Sequence, residues 1–300
     1  MLDIRLIRED PEGVKAAIAT LFMEAPIDEI VALDVRRREI LTEVEGLKAE
    51  RNEGSKAVAN ATAEARPELI AAMRELGDRI AALDEESRTT ETELNELMLT
   101  VPNLPLPEVP VAADESGNVV YAEWGEKRQF AFTPKPHWEL GEALDIIDFE
   151  RGVKVAGTRF YYLKGDGARL QRALIAWMLD LHTQSHGYQE LMVPYMVPAQ
   201  ALYGTGNLPK FGAVLFHDAE EDRWMIPTAE VPVTNMYRDE ILEEADLPRY
   251  HVAYSPCFRR EQISAGRDVR GIKRGYQFDK VEMVKFVHPD TSKEEHKKLI

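Results

Sequence analysis

Between residues 28 and 99, apolar positions recur at alternating intervals of three and four. Ile30, Leu33, Arg37, Ile40, Val44 and Leu47 make one run; Leu69, Met73, Leu76, Ile80, Leu83, Ser87, Thr90, Leu94 and Leu97 make a second. That alternation is the seam of a coiled coil. Between the runs lies a polar, alanine-rich stretch from Asn52 to Pro67, with Gly54 inside it, through which a single seam cannot pass. The pattern predicts one antiparallel helical hairpin over about 27–99, folded back near residues 60–67, with a dimerising rod as the alternative. Ahead of it, Asp10, Pro11 and Glu12 read as a cap, a first-turn proline and an acid suited to the positive helix end. They predict a helix to about Leu21.

The pattern changes after Val101. Pro102, Pro105, Pro107, Pro110, Pro134 and Pro136 interrupt any helix, and Asp114 to Asn118 is a turn cluster. This divides the chain into a helical arm (1–105), a proline-rich linker (106–136) and a second domain (137–300). In the second domain, Trp138 to Ile147 reads as helix and Gly157 to Leu163 as strand. Asp166 is expected to cap a long amphipathic helix running to about Ser185. Residues 188–193, 214–216, 223–226, 251–258 and 277–288 are rich in β-branched and aromatic residues and are expected to be strands. Segregated helices and short strands favour an α+β fold with an antiparallel sheet over a βαβ wind. Ser292 to Glu295 has the pattern of a capping box, and the chain is expected to be incomplete beyond it.

Composition narrows the class. The 300 residues are 44% hydrophobic and 30% charged, enough for a sizeable core. With 37 basic and 53 acidic residues the net charge is −16, which argues against wholesale non-specific binding to nucleic acid or anionic membrane. One cysteine, Cys257, excludes an internal disulfide and a multi-cysteine metal site. No apolar run is long enough to span a bilayer. The charged start is unlike a secretory signal, so a cytoplasmic protein with no membrane partner is expected.

One segment inverts this charge. Residues 256–285 hold eight basic and four acidic side chains, a local +4. The island suits either a bound anion such as a polyphosphate or a solvated strand–loop–strand face. Its order is informative. A strand ends in Phe258-Arg259-Arg260-Glu261, a loop spans 262–274, and a return strand carries Phe278, Lys280 and Glu282 at period two. Read from the residues alone, Phe278 is either a stacking face or core packing, and Glu282 either a ligand or an exposed carboxylate. Cys257 reads as core. His182 and His186 lack the acidic companion of a zinc motif, and no metal ligands are expected.

The F-R-x-E element and its return strand resemble motif 2 of the class II aminoacyl-tRNA synthetases. The run from Gly266 to Glu282 resembles the bacterial-type seryl-tRNA synthetases in particular. Gly204 to Phe211, the T-x-E element within Ile226 to Val231, the motif-1-like stretch Gly187 to Pro194, and the paired-helix arm agree in family order. The resemblance implies a class II antiparallel-sheet catalytic domain behind a tRNA-binding arm. It implies activation of serine by ATP with Mg2+, then transfer to tRNA(Ser), and to tRNA(Sec), by a homodimer. It carries Arg259, Arg260, Glu261, Gly275 and Phe278 over to ATP, with Arg274 as a second phosphate clamp. Arg259, Glu261 and Arg274 are the expected catalytic residues; Thr228, Ala229, Glu230 and Glu282 are expected to hold serine. The family's third motif is expected to lie beyond Ile300, so residues 1–300 alone are expected to activate serine poorly or not at all. Another class II synthetase, a synthetase-like amino acid ligase, and a non-catalytic RNA-binding fragment are the alternatives.

Overall fold

A computed structural model describes residues 2–261 and 270–300. The chain forms two compact units, 1–125 and 126–300.

The first unit is helical. Asp3 accepts from the Arg5 amide and starts α1 (Ile4–Glu9), an element without an apolar period long enough to be read in sequence. Asp10 accepts from the Gly13 amide and starts α2 (Pro11–Ala19), as its sequence predicts. The hairpin follows as α3 (Ile27–Asn60) and α4 (Arg66–Met98). Ile30, Ile40, Val44 and Leu47 of α3 and Ile80, Thr90 and Leu94 of α4 are buried along the expected seam. On α3 the seam departs from the pattern at one turn, where Asp34 is buried and Leu33 only half-buried. The cause is α1, whose Arg8 forks onto both Asp34 carboxylate oxygens (2.8 and 3.0 Å). That fork holds the Asp34 carboxyl below the usual range, and Arg37 and Arg38 add to the effect. The base is closed by a core of Ile7, Val14, Ile18, Ile27, Ile30, Leu94, Met98 and Val101.

The second unit mixes helices and short sheets. It begins with α5 (His137–Ala143), β1 (Ile147–Asp148) and α6 (Phe149–Ala156). The strand expected at 157–163 shrinks to β2 (Tyr162–Leu163), paired antiparallel with β1. The helix α6 was not expected; Asp148 caps it by accepting from the Arg151 amide, and Gly157 ends it at φ 88°. In α7 (Asp166–Gln184) the N-cap is Gly165, not Asp166, which is the first helical residue. Then come β3 (Gln189–Leu191), β4 (Met196–Pro198), α8 (Ala199–Gly204), β5 (His217–Asp218), β6 (Arg223–Met225) and α9 (Glu230–Asn235). The expected strand at 214–216 is replaced by a 3-10 turn, Gly212–Val214, ahead of β5. The long ribbon of β7 (Arg249–Phe258) and β8 (Gln277–Phe286) is followed by α10 (Ser292–Lys297). Ser292 does not cap that helix: a 3-10 turn, Pro289–Thr291, leads into it and makes Thr291 the capping position.

One sheet has the order β3-β7-β8, another β4-β6-β5. The β7–β8 pair is antiparallel, as expected, while β3 runs parallel to β7. Ile226, Val231, Leu202 and Leu215 pack a fully buried core under the second sheet, and Ala229, Val233 and Ala253 pack another beside β7.

Candidate active site

The β7–β8 ribbon sets the site because strand alternation fixes which side chains share a face. Cys257 pairs with Phe278 and Phe258 with Gln277. The Arg259 amide then donates to the Tyr276 carbonyl (3.0 Å), so the two chains stay together one step past the strands. Phe278, Lys280 and Glu282 lie on one face. On the other face, Asp279 accepts from the Tyr254 hydroxyl (2.9 Å) and from Gln171 of α7. Burial, with the bond to Asp279, pushes the Tyr254 hydroxyl up to about 12.

Arg259, Glu261, Lys273, Arg274, Gly275 and Phe278 line one hollow of about 420 Å³. The Arg259 guanidinium stands 5.2 Å over the centre of the Phe278 ring, a cation–π contact. Its Nε donates to the Pro227 carbonyl (3.2 Å). Arg274 pairs with Glu261 at 3.2 Å across the mouth of the loop. Glu261 has φ 45°, a strained backbone for a non-glycine residue. Gly275 is buried, and a Cβ there would stand 2.9 Å from the Gln277 carbonyl oxygen. Arg260 is not on the hollow: its guanidinium sits 5.1 Å over Phe216, and its buried Nε has no partner among the described residues.

A second cluster adjoins the hollow through Pro227. Residues 226–229 are buried and lead into α9, so Thr228 is in a turn before a helix and not in a strand. Its hydroxyl donates to Glu282 Oε2 (2.5 Å) and accepts from Lys280 Nζ (2.6 Å). Lys280 Nζ is also 2.8 Å from Glu282 Oε2, which takes the Glu230 amide as well (3.1 Å). Ala229, wholly buried, is the N-cap of α9 and holds Glu230 at its first position. Loss of hydration and the nearby Glu282 charge push the Glu230 carboxyl up, against the pull of Lys280. Cys257 is buried, and burial raises its thiol, which makes it core and a poor nucleophile.

The fold therefore gathers Arg259, Glu261, Arg274, Gly275 and Phe278 on one hollow, and Thr228, Ala229, Glu230 and Glu282 on the cluster beside it. Residues 262–269 of the loop, with Arg267 and Asp268 of the basic island, lie outside the described residues. Sequence reasoning missed Lys280 as a site residue although its period-two spacing pointed to it. It also missed Arg159, which donates to the Arg274 carbonyl (3.2 Å) and accepts the Tyr276 amide (3.3 Å) at φ 70°. No local signal distinguishes that arginine from a strand residue.

Residues 1–105 match the family model described as the seryl-tRNA synthetase N-terminal domain, and residues 214–300 match the class II tRNA synthetase core domain (G, H, P, S and T). The chain is 62% identical over 301 residues to the serine–tRNA ligase of Thermomicrobium roseum, covering all of this chain and 68% of that protein. The chain belongs to the seryl-tRNA synthetase family. It is also 58% identical to the serine–tRNA ligase of Herpetosiphon aurantiacus, of which it covers 72%. Among solved structures, seryl-tRNA synthetase from Pyrococcus horikoshii complexed with ATP is similar at TM-score 0.90 and 35% identity, over all of this chain and 72% of that one. Membership accounts for two features together: a long helical hairpin, and a two-strand ribbon with an arginine–aromatic hollow at its end.

Proposed function

We propose that the chain is the arm and part of the catalytic domain of a serine–tRNA ligase, with a 1–105 arm, a 106–136 linker and a catalytic portion over 137–300. The reading is supported above all by the adjacency of two unlike sites. A cation- and aromatic-lined hollow suits a nucleotide, an acceptor-rich cluster suits a small amino acid, and the Arg259–Pro227 bond joins them.

Serine activation brings two anions together. A serine carboxylate oxygen attacks the α-phosphorus of ATP, and pyrophosphate leaves. Arg259 faces both reactants and neutralises the repulsion with a planar fork that bonds bidentately. Arg274, held by Glu261, clamps the phosphates from the loop side. Phe278 stacks on the adenine ring with Arg259 behind it. Gly275 lets the nucleotide approach the backbone. Arg260, stacked on Phe216, braces the segment that carries its two neighbours. Mg2+ would enter as part of the nucleotide substrate and would supply charge neutralisation there; Glu261, the acidic side chain on the described wall of the hollow, would face it. Glu230 and Glu282 accept from the serine ammonium and hydroxyl, with Thr228 and Ala229 forming the floor. The terminal adenosine hydroxyl of tRNA then attacks the adenylate carbonyl and AMP leaves. Alignment and charge neutralisation supply the acceleration, with no covalent enzyme intermediate.

The arm takes the RNA. Residues 26–100 hold 10 basic and 18 acidic side chains, so contact falls to a local stripe near the tip that includes Lys48, Arg51, Lys56 and Arg66. Recognition of tRNA(Ser) and tRNA(Sec) by the shape of A-form RNA fits such a rod. A homodimer through the Gly187–Pro194 stretch and a cytoplasmic location belong to the same reading.

Titration calorimetry with MgATP tests the core of it. Arg259→Ala removes charge-assisted bonds worth about 1.5–3 kcal/mol, and binding should weaken by about 10- to 100-fold. Unchanged binding would favour a non-catalytic RNA-binding module.

A further inference from the structure

The Thr228–Lys280–Glu282 triangle has a proton arrangement that only one of its members can impose. A lysine ammonium has donors and no acceptor. The 2.6 Å contact from Lys280 Nζ therefore makes Thr228 Oγ1 an acceptor, and its single proton must go to Glu282 Oε2, 2.5 Å away. The Glu230 amide is 3.3 Å from the same hydroxyl and takes up its remaining acceptor capacity. Glu282 Oε2 is saturated in turn, by the hydroxyl, the ammonium and the Glu230 amide. Thr228 is 5% exposed, so water does not relax this arrangement. Glu282 Oε1 and the Glu230 carboxylate are left without a side-chain or backbone partner among the described residues.

We infer that Lys280 is a positioning residue that sets amino-acid specificity: it turns the Thr228 proton onto Glu282, and only the ammonium and the hydroxyl together pin Glu282 by one oxygen, so the pocket presents acceptors only. The inference rests on the reading of this cluster as the serine site. A ligand that brings both an ammonium and a hydroxyl proton satisfies the two open carboxylate groups. Alanine brings only the ammonium and leaves one of them desolvated and unpaired. Lys280 also sets the charge. With Glu230 and Glu282 ionised, the three side chains sum to −1, a match for one ammonium. Without Lys280 the sum is −2, the Thr228 hydroxyl is free to turn, and any amine is attracted whatever its side chain.

The test measures binding of serine, alanine and MgATP separately to the 1–300 chain, by calorimetry and ligand-observed NMR. Lys280→Met should lower the serine-over-alanine preference by about tenfold or more, the worth of one well-placed hydrogen bond. MgATP affinity should stay within about twofold, because Phe278 and Arg259 meet the nucleotide elsewhere on the ribbon. Thr228→Val keeps the Lys280–Glu282 ion pair but removes the hydroxyl, and should lose the same preference. The double variant should be no worse than either single one. An intact preference in either variant overturns the inference; so does a parallel fall in MgATP affinity, which would mean that Lys280 merely holds β8. Should Lys280→Met fail to fold, Thr228→Val decides alone. A parent chain that binds alanine as well as serine sinks the serine-site reading itself, a different outcome from a lysine that does not matter.

Discussion

Replacing Gly275 by alanine adds one methyl group to the wall of the hollow that Arg259 and Phe278 line. The new Cβ would stand 2.9 Å from the Gln277 carbonyl oxygen, 3.4 Å from the Arg159 carbonyl oxygen and 3.5 Å from the Tyr161 ring. The first two are backbone atoms, and the Arg159 carbonyl is already held by the Tyr276 amide. Neither can swing aside as the end of a flexible side chain would. Overpacking of this kind costs about 1–3 kcal/mol. Against it stands about 0.4–1 kcal/mol from the smaller conformational freedom of the unfolded chain. The net is a loss of about 1–2 kcal/mol, and for a unit of this size a fall in Tm of about 2–8 °C. Gly46 provides the opposite case, since a Cβ there on α3 meets nothing within 4 Å. There alanine gains about 1 kcal/mol of helix propensity, and the 1–125 unit should melt a few degrees higher. Scanning calorimetry of both variants reads each effect, and MgATP titration should show weaker binding for Gly275→Ala alone. A Gly275→Ala chain that melts with the parent would refute the packing argument, and with it the claim that the backbone there is set by its neighbours.

Two further outcomes follow from burial and charge. Glu295 is buried with Lys285 at 3.0 Å and accepts from Tyr250 and Lys298, and these partners hold its carboxyl down at about 2 from an ordinary 4.5. Its contribution to stability is therefore full above pH 4.5 and disappears as the pH falls toward 2. Denaturant unfolding should find Glu295→Gln less stable than the parent at pH 7, with the gap narrowing below pH 4.5 and closing only as the pH passes below about 2; a constant gap would refute the ion-pair account. Ile226 is fully buried, and its carbonyl accepts the Phe258 amide (3.0 Å) where the T-x-E turn meets β7. Ile226→Ala should cost about 2–5 kcal/mol by urea unfolding, and a cost below 1 kcal/mol would show that the turn does not rest on this core.

The sequence by itself determined the hairpin, because its seam is a local period repeated over many turns and each helix buries its own stripe. It likewise determined the β7–β8 ribbon and the face shared by Phe278, Lys280 and Glu282, since strand alternation is a property of neighbouring residues. Arg259, Glu261, Arg274 and Gly275 were singled out by the resemblance of the segment around them to the family's motif 2. What the sequence could not supply came from contacts distant along the chain. Asp34 entered the seam only because α1 brought Arg8 against it. Thr228 lies in a turn ahead of α9, held by a lysine and a glutamate more than fifty positions away. Arg260, inside the most informative motif, turned from the hollow to Phe216. The helix α6 took residues with no apolar period and formed on a cap and a terminal glycine. Local periodicity encodes an element and its buried face. Which polar groups meet across elements is settled only when packing brings them within hydrogen-bond reach, as when β8 brings Lys280 and Glu282 to Thr228 and the Glu230 amide.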